Sequence, residues 1–245
     1  WPFNVMENQV LRGVDFAIFG SQACSDVWSK KGYRGPEAII PQFGVEPDIF
    51  HCHEPILGSG QRFTIGYIGR LVPEKGVDLL LRAVSNLEDN VNVIIIGSGP
   101  QRSSLQRLAI ESGIDKRVEF VSWIPSSDVP QQLRAMDTLV LPSRTQSNWQ
   151  EQFGRVLLEA MASGVPVVGS TSGEIPNVIG DAGLVFQEGD TEALASLLCK
   201  LASDPELYRK LSERGRARVL SHYTQEKVAA ATVRVYRKMM HCRQT

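Results

Sequence analysis

Five apolar runs bounded by Gly, Pro or Ser recur from residue 63 onward: "FTIGYIG" (63–69), "VNVIIIG" (91–97), "RVEFVSW" (117–123), "DTLVLPS" (137–143) and "VPVVGS" (165–170). Runs this continuously apolar read as strands covered on both faces, as in a parallel sheet. Between them, apolar residues recur at helical spacing: Val77, Leu80, Leu81 and Val84 within 76–87, Leu105, Leu108 and Ala109 within 101–112, and Leu133 and Met136 within 127–136. Strand and helix in regular alternation predict right-handed crossovers and an α/β fold built on a doubly wound parallel sheet. "GLVF" (183–186) predicts a further short strand, and helices are expected over 190–202, from Pro205 through 220, and over about 224–241.

The first 62 residues do not share this rhythm. "VDFAIFGSQA" predicts a strand running into a helix that ends near Gly32, and "AIIPQFGV" one more strand. The stretch "EPDIFHCHEPILGSG" has no periodicity and is rich in Pro and Gly, which marks a linker. One strand, one helix and one strand bury too little to fold alone. The expected organisation is therefore a tail of a preceding domain (1–44), an interdomain linker (45–62), an α/β domain (63–221) and a C-terminal helix (222–245). The chain opens on Trp1, and the expectation is that it starts partway through a longer gene product.

Composition narrows the class without choosing a function. At 245 residues, 42 % hydrophobic and 22 % charged, the chain reads as an ordinary globular protein. Lys and Arg number 26 against 27 Asp and Glu, so no polyanion such as nucleic acid is suggested as a partner across the whole surface. The four cysteines, Cys24, Cys52, Cys199 and Cys242, form no CxxC pair, which disfavours a disulfide framework or a zinc knuckle and fits a reducing cytoplasm. His51, Cys52 and His53 adjoin, but neighbouring residues alternate direction and no second ligand cluster stands near them in sequence. No apolar run is long enough to cross a membrane, so neither an integral membrane segment nor a signal peptide is expected.

Open parallel sheets bind ligands at the carboxyl ends of their strands, so candidate chemistry is sought in the loops that follow. In "GRLVPEKG" (69–76), Arg70 and Lys75 flank Pro73 just before a helix. Cations there oppose the partial positive charge of a helix N-terminus, a conflict that a bound anion would remove; two solvated surface cations are the alternative. "GSGP" (97–100) resembles part of a dinucleotide fingerprint but lacks its third glycine, which leaves a tight strand-to-helix turn, with Pro100 opening the next helix, as the other reading.

The stretch "EQFGRVLLEAMASG" (151–164) carries more information. A helix beginning near Phe153 or Gly154 and stopped at Gly164 would offer its N-terminal amides to an anion at the same sheet edge. Glu151 lies just before its first turn, as an acid favoured by the helix dipole or as a ligand group. Glu159 stands among Val156, Leu157, Leu158, Ala160, Met161 and Ala162. A buried carboxylate needs donors, either a structural network or the hydroxyls of a ligand. Eight residues of helix rise ~12 Å, which would set the two acids at opposite ends of a sugar, diphosphate and ribose.

"EQFGRVLLEAM" preceded by "LPS", with "GRLVPEKG" upstream, resembles glycosyltransferase family 4, the retaining, nucleotide-sugar-dependent enzymes of the GT-B fold with two Rossmann-like domains. The resemblance implies that residues 63–221 are the C-terminal, donor-binding domain and that the last helix crosses back towards the N-terminal one. Arg70 and Lys75 would then hold the diphosphate, and Glu151 with the backbone of Gln152, Phe153 and Gly154 the donor sugar. Arg155 would stand beside them in the donor site, Glu159 would take the ribose, and Ile124, Pro125 and Ser126 would lie beside the base. Arg70, Lys75 and Glu151 would be the catalytic set. Ser122 stands where family members often have Gly, Gln152 where others have Ser or Gly, and "RTQSNWQ" (144–150) is longer than in many. In that stretch Asn148 and Trp149 would border the donor sugar, the alternative being that Trp149 covers an interdomain cleft.

The expected function is transfer of a hexose from a nucleotide-diphospho-sugar to an acceptor hydroxyl with retention, in the cytoplasm or peripheral to a membrane. No metal is expected, since no acidic cluster is apparent in the sequence. With the N-terminal domain absent from this chain, little transfer by the fragment alone is anticipated. Two readings stay open: a nucleotide-sugar epimerase of the same fold, and a non-catalytic nucleotide-binding module. A dehydrogenase fits less well, because "GSGP" is incomplete and no ribose-binding acid stands at the expected distance.

Overall fold

The computed structural model describes residues 6, 9–11, 13–51 and 62–242, with side chains up to 240. It divides into two compact units, one formed by residues up to 44 together with those from 222 onward, the other by Val45–Ser221.

The smaller unit holds β1 (Ala17–Phe19), α1 (Gln22–Lys30) and β2 (Glu37–Ile39), with β1 and β2 parallel. Ser21 caps α1, its hydroxyl accepting from the Cys24 amide at 3.2 Å. The last helix, Gln225–Cys242, belongs to this unit, and Lys238 places its ammonium 5.7 Å from the centre of the Phe16 ring.

In the larger unit the apolar runs become strands: β3 (Phe63–Ile68), β4 (Val91–Ile96), β5 (Val118–Val121), β6 (Thr138–Leu141), β7 (Val167–Ser170) and β8 (Leu184–Phe186). They form one six-stranded sheet in the order β5-β4-β3-β6-β7-β8, with every pairing parallel. Ile65, Tyr67, Leu139, Val140, Val167 and Val168 are fully buried, as strands covered on both faces must be. The covering helices are α2 (Val77–Ser85), α3 (Arg102–Glu111), α4 (Val129–Arg134), α5 (Arg155–Ala162), α6 (Ile175–Ile179) and α7 (Thr191–Ser203), and α8 (Pro205–His222) follows.

This is the dinucleotide-fold strand order, in which the chain winds outward from β3 through β4 to β5 and then returns to the other side of β3 with β6. The switch point lies between β3 and β6. These two strands pair only through Ile65↔Thr138 and Gly66↔Leu139, while they run on to Ile68 and Leu141. The loops that leave them, 69–76 and 142–154, therefore flank one crevice at the carboxyl edge.

Several details depart from the sequence expectations. Residues 175–179 form a helix where none was expected, and a single 3₁₀ turn covers Pro73–Lys75. Pro100 lies in the turn before α3, whose first residue is Arg102. Gly97 has φ +150°, and a Cβ there would stand 1.9 Å from the carbonyl oxygen of Gly69, so close packing of the two loops accounts for this glycine. Arg102 clamps the same turn, donating to the carbonyls of Gly97, Val121 and Phe120. "GSGP" is a tight turn. Residues 45–51 belong to the larger unit, where Val45 and Phe50 are buried. His51 is exposed, and Cys52, His53 and the rest of 52–61 lie outside the described residues. Among the described residues no helix is long and apolar enough to cross a membrane.

Candidate functional site

The loop after β3 is built around a buried phenol. Tyr67 donates its hydroxyl to the Arg70 carbonyl at 2.7 Å, and burial raises its pKa, which keeps it a neutral donor. The Leu71 amide donates to the Ser98 carbonyl at 2.9 Å, tying this loop to the one after β4. Against that scaffold the two candidate cations take different surroundings. The Arg70 side chain is 67 % exposed and lies 3.8 Å from Glu74, whereas that of Lys75 is only 16 % exposed.

Lys75 reaches across the switch point. Its Nζ donates to Oε2 of Glu151 at 2.6 Å, and the Ser143 hydroxyl donates to the same oxygen at 2.8 Å. The Glu151 carbonyl accepts from the Glu174 amide at 2.9 Å, which fastens this loop to the one after β7. Ser143 is itself held, its carbonyl accepting from the Ser170 hydroxyl at 2.6 Å. Glu151 thus precedes α5 in a loop, and only Arg155 to Glu159 are helical, so the two acids are not separated by eight residues of helix. The structural reason is Gly154, whose φ of +76° turns the chain into the helix.

Helix α5 is apolar on most of its surface, and Leu157 through Ala162 are buried. Glu159 is buried among them, with Oε1 accepting from Arg155 Nε at 2.7 Å. Burial raises the pKa of Glu159, and the charge and hydrogen bond of Arg155 oppose the shift. The dedicated donor that the sequence demanded is therefore one helical turn earlier, at the spacing at which side chains on a helix meet.

The structure brings Lys75, Glu151, Phe153, Gly154 and the start of α5 to one crevice. Phe153 is buried and Gln152 exposed. Ile124, Pro125 and Ser126 follow β5, at the same edge of the sheet but two strands from β3. Ile124 is half-buried and its two neighbours are exposed.

Several polar residues here were not singled out from sequence. Ser143 and Ser172 sit where apolar strand residues give way to short polar ones, the signal that would have found them. Arg144 forms an ion pair with Asp78, while its amide donates to the Glu74 carbonyl at 2.8 Å, so the loops after β3 and β6 are pinned together. Asp78 Oδ1 and Arg144 Nε are buried without a hydrogen-bond partner. No group of three or more His, Cys, Asp or Glu that would hold a metal is found among the described residues.

A family model described as glycosyl transferases group 1 matches residues 53–218, more than half of the chain. The chain belongs to that family. It is 33 % identical over 195 residues to a GDP-mannose-dependent alpha-(1-6)-phosphatidylinositol monomannoside mannosyltransferase of Mycolicibacterium smegmatis, covering 77 % of this chain and 51 % of that protein. It is 28 % identical over 244 residues to an MMP alpha-(1->4)-mannosyltransferase of Mycolicibacterium hassiacum, covering 97 % of this chain and 57 % of the relative. Among solved structures, a sucrose-phosphate synthase from Thermosynechococcus elongatus superposes with a TM-score of 0.81 at 26 % identity, over 98 % of this chain and 62 % of that one. The group 1 chain thus spans about half the length of the curated relatives it matches. The crevice between β3 and β6 is where this family member pairs Lys75 with the buried Glu151.

Proposed function

We propose that this chain is the donor-binding half of a retaining glycosyltransferase, one that moves a hexose from a nucleotide-diphospho-sugar to an acceptor hydroxyl. The observation that carries the reading is the Lys75 ammonium on the Glu151 carboxylate, at 2.6 Å, across the switch point and beside the start of α5. Parallel sheets of this order bind nucleotides at that point. The N-terminal amides of a helix favour an anion there.

In this reading the diphosphate lies between Arg70, Lys75 and the first amides of α5. Glu151 and the backbone of residues 152–154 face the donor sugar, Glu159 with Arg155 faces the ribose, and residues 124–126 lie beside the base. As the bond between the anomeric carbon and the diphosphate oxygen breaks, its electron pair leaves with the diphosphate. Groups fixed in place beforehand stabilise that growing charge without reorganising. Arg70 and Lys75 supply the countercharge, so the reaction needs no divalent cation. The names of both curated relatives specify alpha linkages. For a donor whose phosphate is α-linked, that outcome is retention. The acceptor site falls to the remaining length of the protein, and the chain by itself binds donor and transfers little.

Calorimetry with GDP, UDP, GDP-mannose and UDP-glucose tests the donor site, and at least one nucleotide and its sugar conjugate are expected to bind with EDTA present. Folded chain that binds none of them defeats the reading. With a protein of full family length, an α-configured product by NMR is expected, and a β product would refute retention.

A further inference from the structure

We propose that Trp149 forms the apolar wall of the donor-sugar subsite, an inference that rests on the donor-site reading above. Between Ser143 and Glu151 the chain leaves the sheet edge and turns back through a bridge of Gln146 and Trp149, whose amides and carbonyls pair at 2.7 and 3.3 Å. The arm that enters this turn is pinned at two successive residues. Arg144 is tied to Asp78 and Glu74, and the Thr145 amide donates to Glu188 Oε2 at 2.6 Å. A turn so anchored holds its aromatic residue in place. Trp149 is half-buried, and its ring centre lies 5.2 Å from Lys75 Nζ, which in turn binds Glu151.

An indole face, an ammonium and a carboxylate therefore converge on one spot. A pyranose ring presents the matching chemistry: hydroxyls around its rim for the carboxylate, and a patch of C–H groups on one face for the aromatic surface. Neither the diphosphate nor the base makes use of an indole placed there. Without ligand the ring faces the Lys75 ammonium as a cation–π partner. A diphosphate competes for that ammonium with full charges and charge-assisted hydrogen bonds, which leaves the ring face open to the sugar. The competing role is structural, with Trp149 only shielding the Lys75–Glu151 pair from water. That role makes no distinction between a nucleotide and its sugar conjugate.

The test compares wild type, W149A, W149F and W149L by calorimetry with GDP, GDP-mannose, UDP and UDP-glucose, using thermal unfolding to confirm the fold of each. For whichever pair wild type binds, W149A is expected to weaken the nucleotide sugar about tenfold and the free nucleotide less than about twofold. W149F should retain most of the sugar contribution and W149L should lose it, since an aromatic face is required. Equal losses on nucleotide and nucleotide sugar, or no loss on either, overturn the proposal while the donor site stands. Failure of wild type to bind any of the four overturns the donor site and this inference together.

Discussion

Glu159 is a buried acid whose proposed role in holding a ligand comes at the expense of the fold. Its pKa is raised in the folded chain by burial, with Arg155 opposing, so the folded state holds the proton more tightly than the unfolded chain does. A raised carboxyl pKa contributes stability below the unfolded value of 4.5 and loses it as pH climbs through the folded value. At neutral pH the ionised Glu159 is therefore a standing cost, only partly offset by an arginine whose side chain is 56 % exposed. E159Q is expected to unfold at an equal or higher temperature than wild type near pH 7, an advantage that vanishes in acid. The same variant should bind a nucleotide about 2 kcal/mol more weakly, roughly thirtyfold, because hydroxyls lose a charged acceptor. A large loss of stability with unchanged affinity would make Glu159 a structural acid. The apolar neighbours in sequence exposed the anomaly of this acid, and the helical spacing to Arg155 was equally legible there.

Between elements, the decisive contact joins the loop after β3 to the loop after β6. Lys75 and Glu151 each stood out by residue type, one a cation before a helix, the other an acid before a buried one. Their pairing was not legible, since 76 positions separate them and only the strand order makes their loops neighbours. The strands themselves were plain, because burial on both faces leaves an unbroken aliphatic signal. Helix α6 was missed because five residues containing Pro176 give too short a period to read. With side chains 16 % and 9 % exposed, the Lys75–Glu151 pair is close to a buried ion pair. Removing one partner strands the other, which costs about 3 kcal/mol, whereas removing both charges is far milder. K75M should therefore lower the unfolding free energy by about 3 kcal/mol in urea titrations, and K75M/E151Q should recover most of it. Additive losses would show the two loops to be energetically independent. The anion site reads differently in the same proteins: both variants should lose nucleoside diphosphate affinity, because neither restores the ammonium.

For the whole molecule, the strand order puts the proposed donor at one end of the six-stranded sheet and leaves the other end a clip of pure structure. At that amino edge Asp137 accepts from the Thr64 amide at 2.7 Å, joining β3 and β6 below the crevice. Burial raises the Asp137 pKa and this hydrogen bond opposes the rise. A ligand that binds only the folded chain stabilises it by mass action, about 2.7 kcal/mol at a free concentration of 100 times its Kd. Where the added protection appears depends on which elements the ligand holds together. Hydrogen exchange with a saturating nucleotide sugar is expected to slow at residues 69–76, 142–154 and 171–174, the loops tied together by the Lys75–Glu151 and Glu174–Glu151 bonds. Residues 86–90, 112–117 and 135–137, which enter β4, β5 and β6 at the opposite edge, should gain only the protection that follows from global stabilisation. Protection concentrated in that second group would place the ligand at the amino ends of the strands, away from Lys75, Glu151 and the N-terminus of α5, and the anion argument would fail with it.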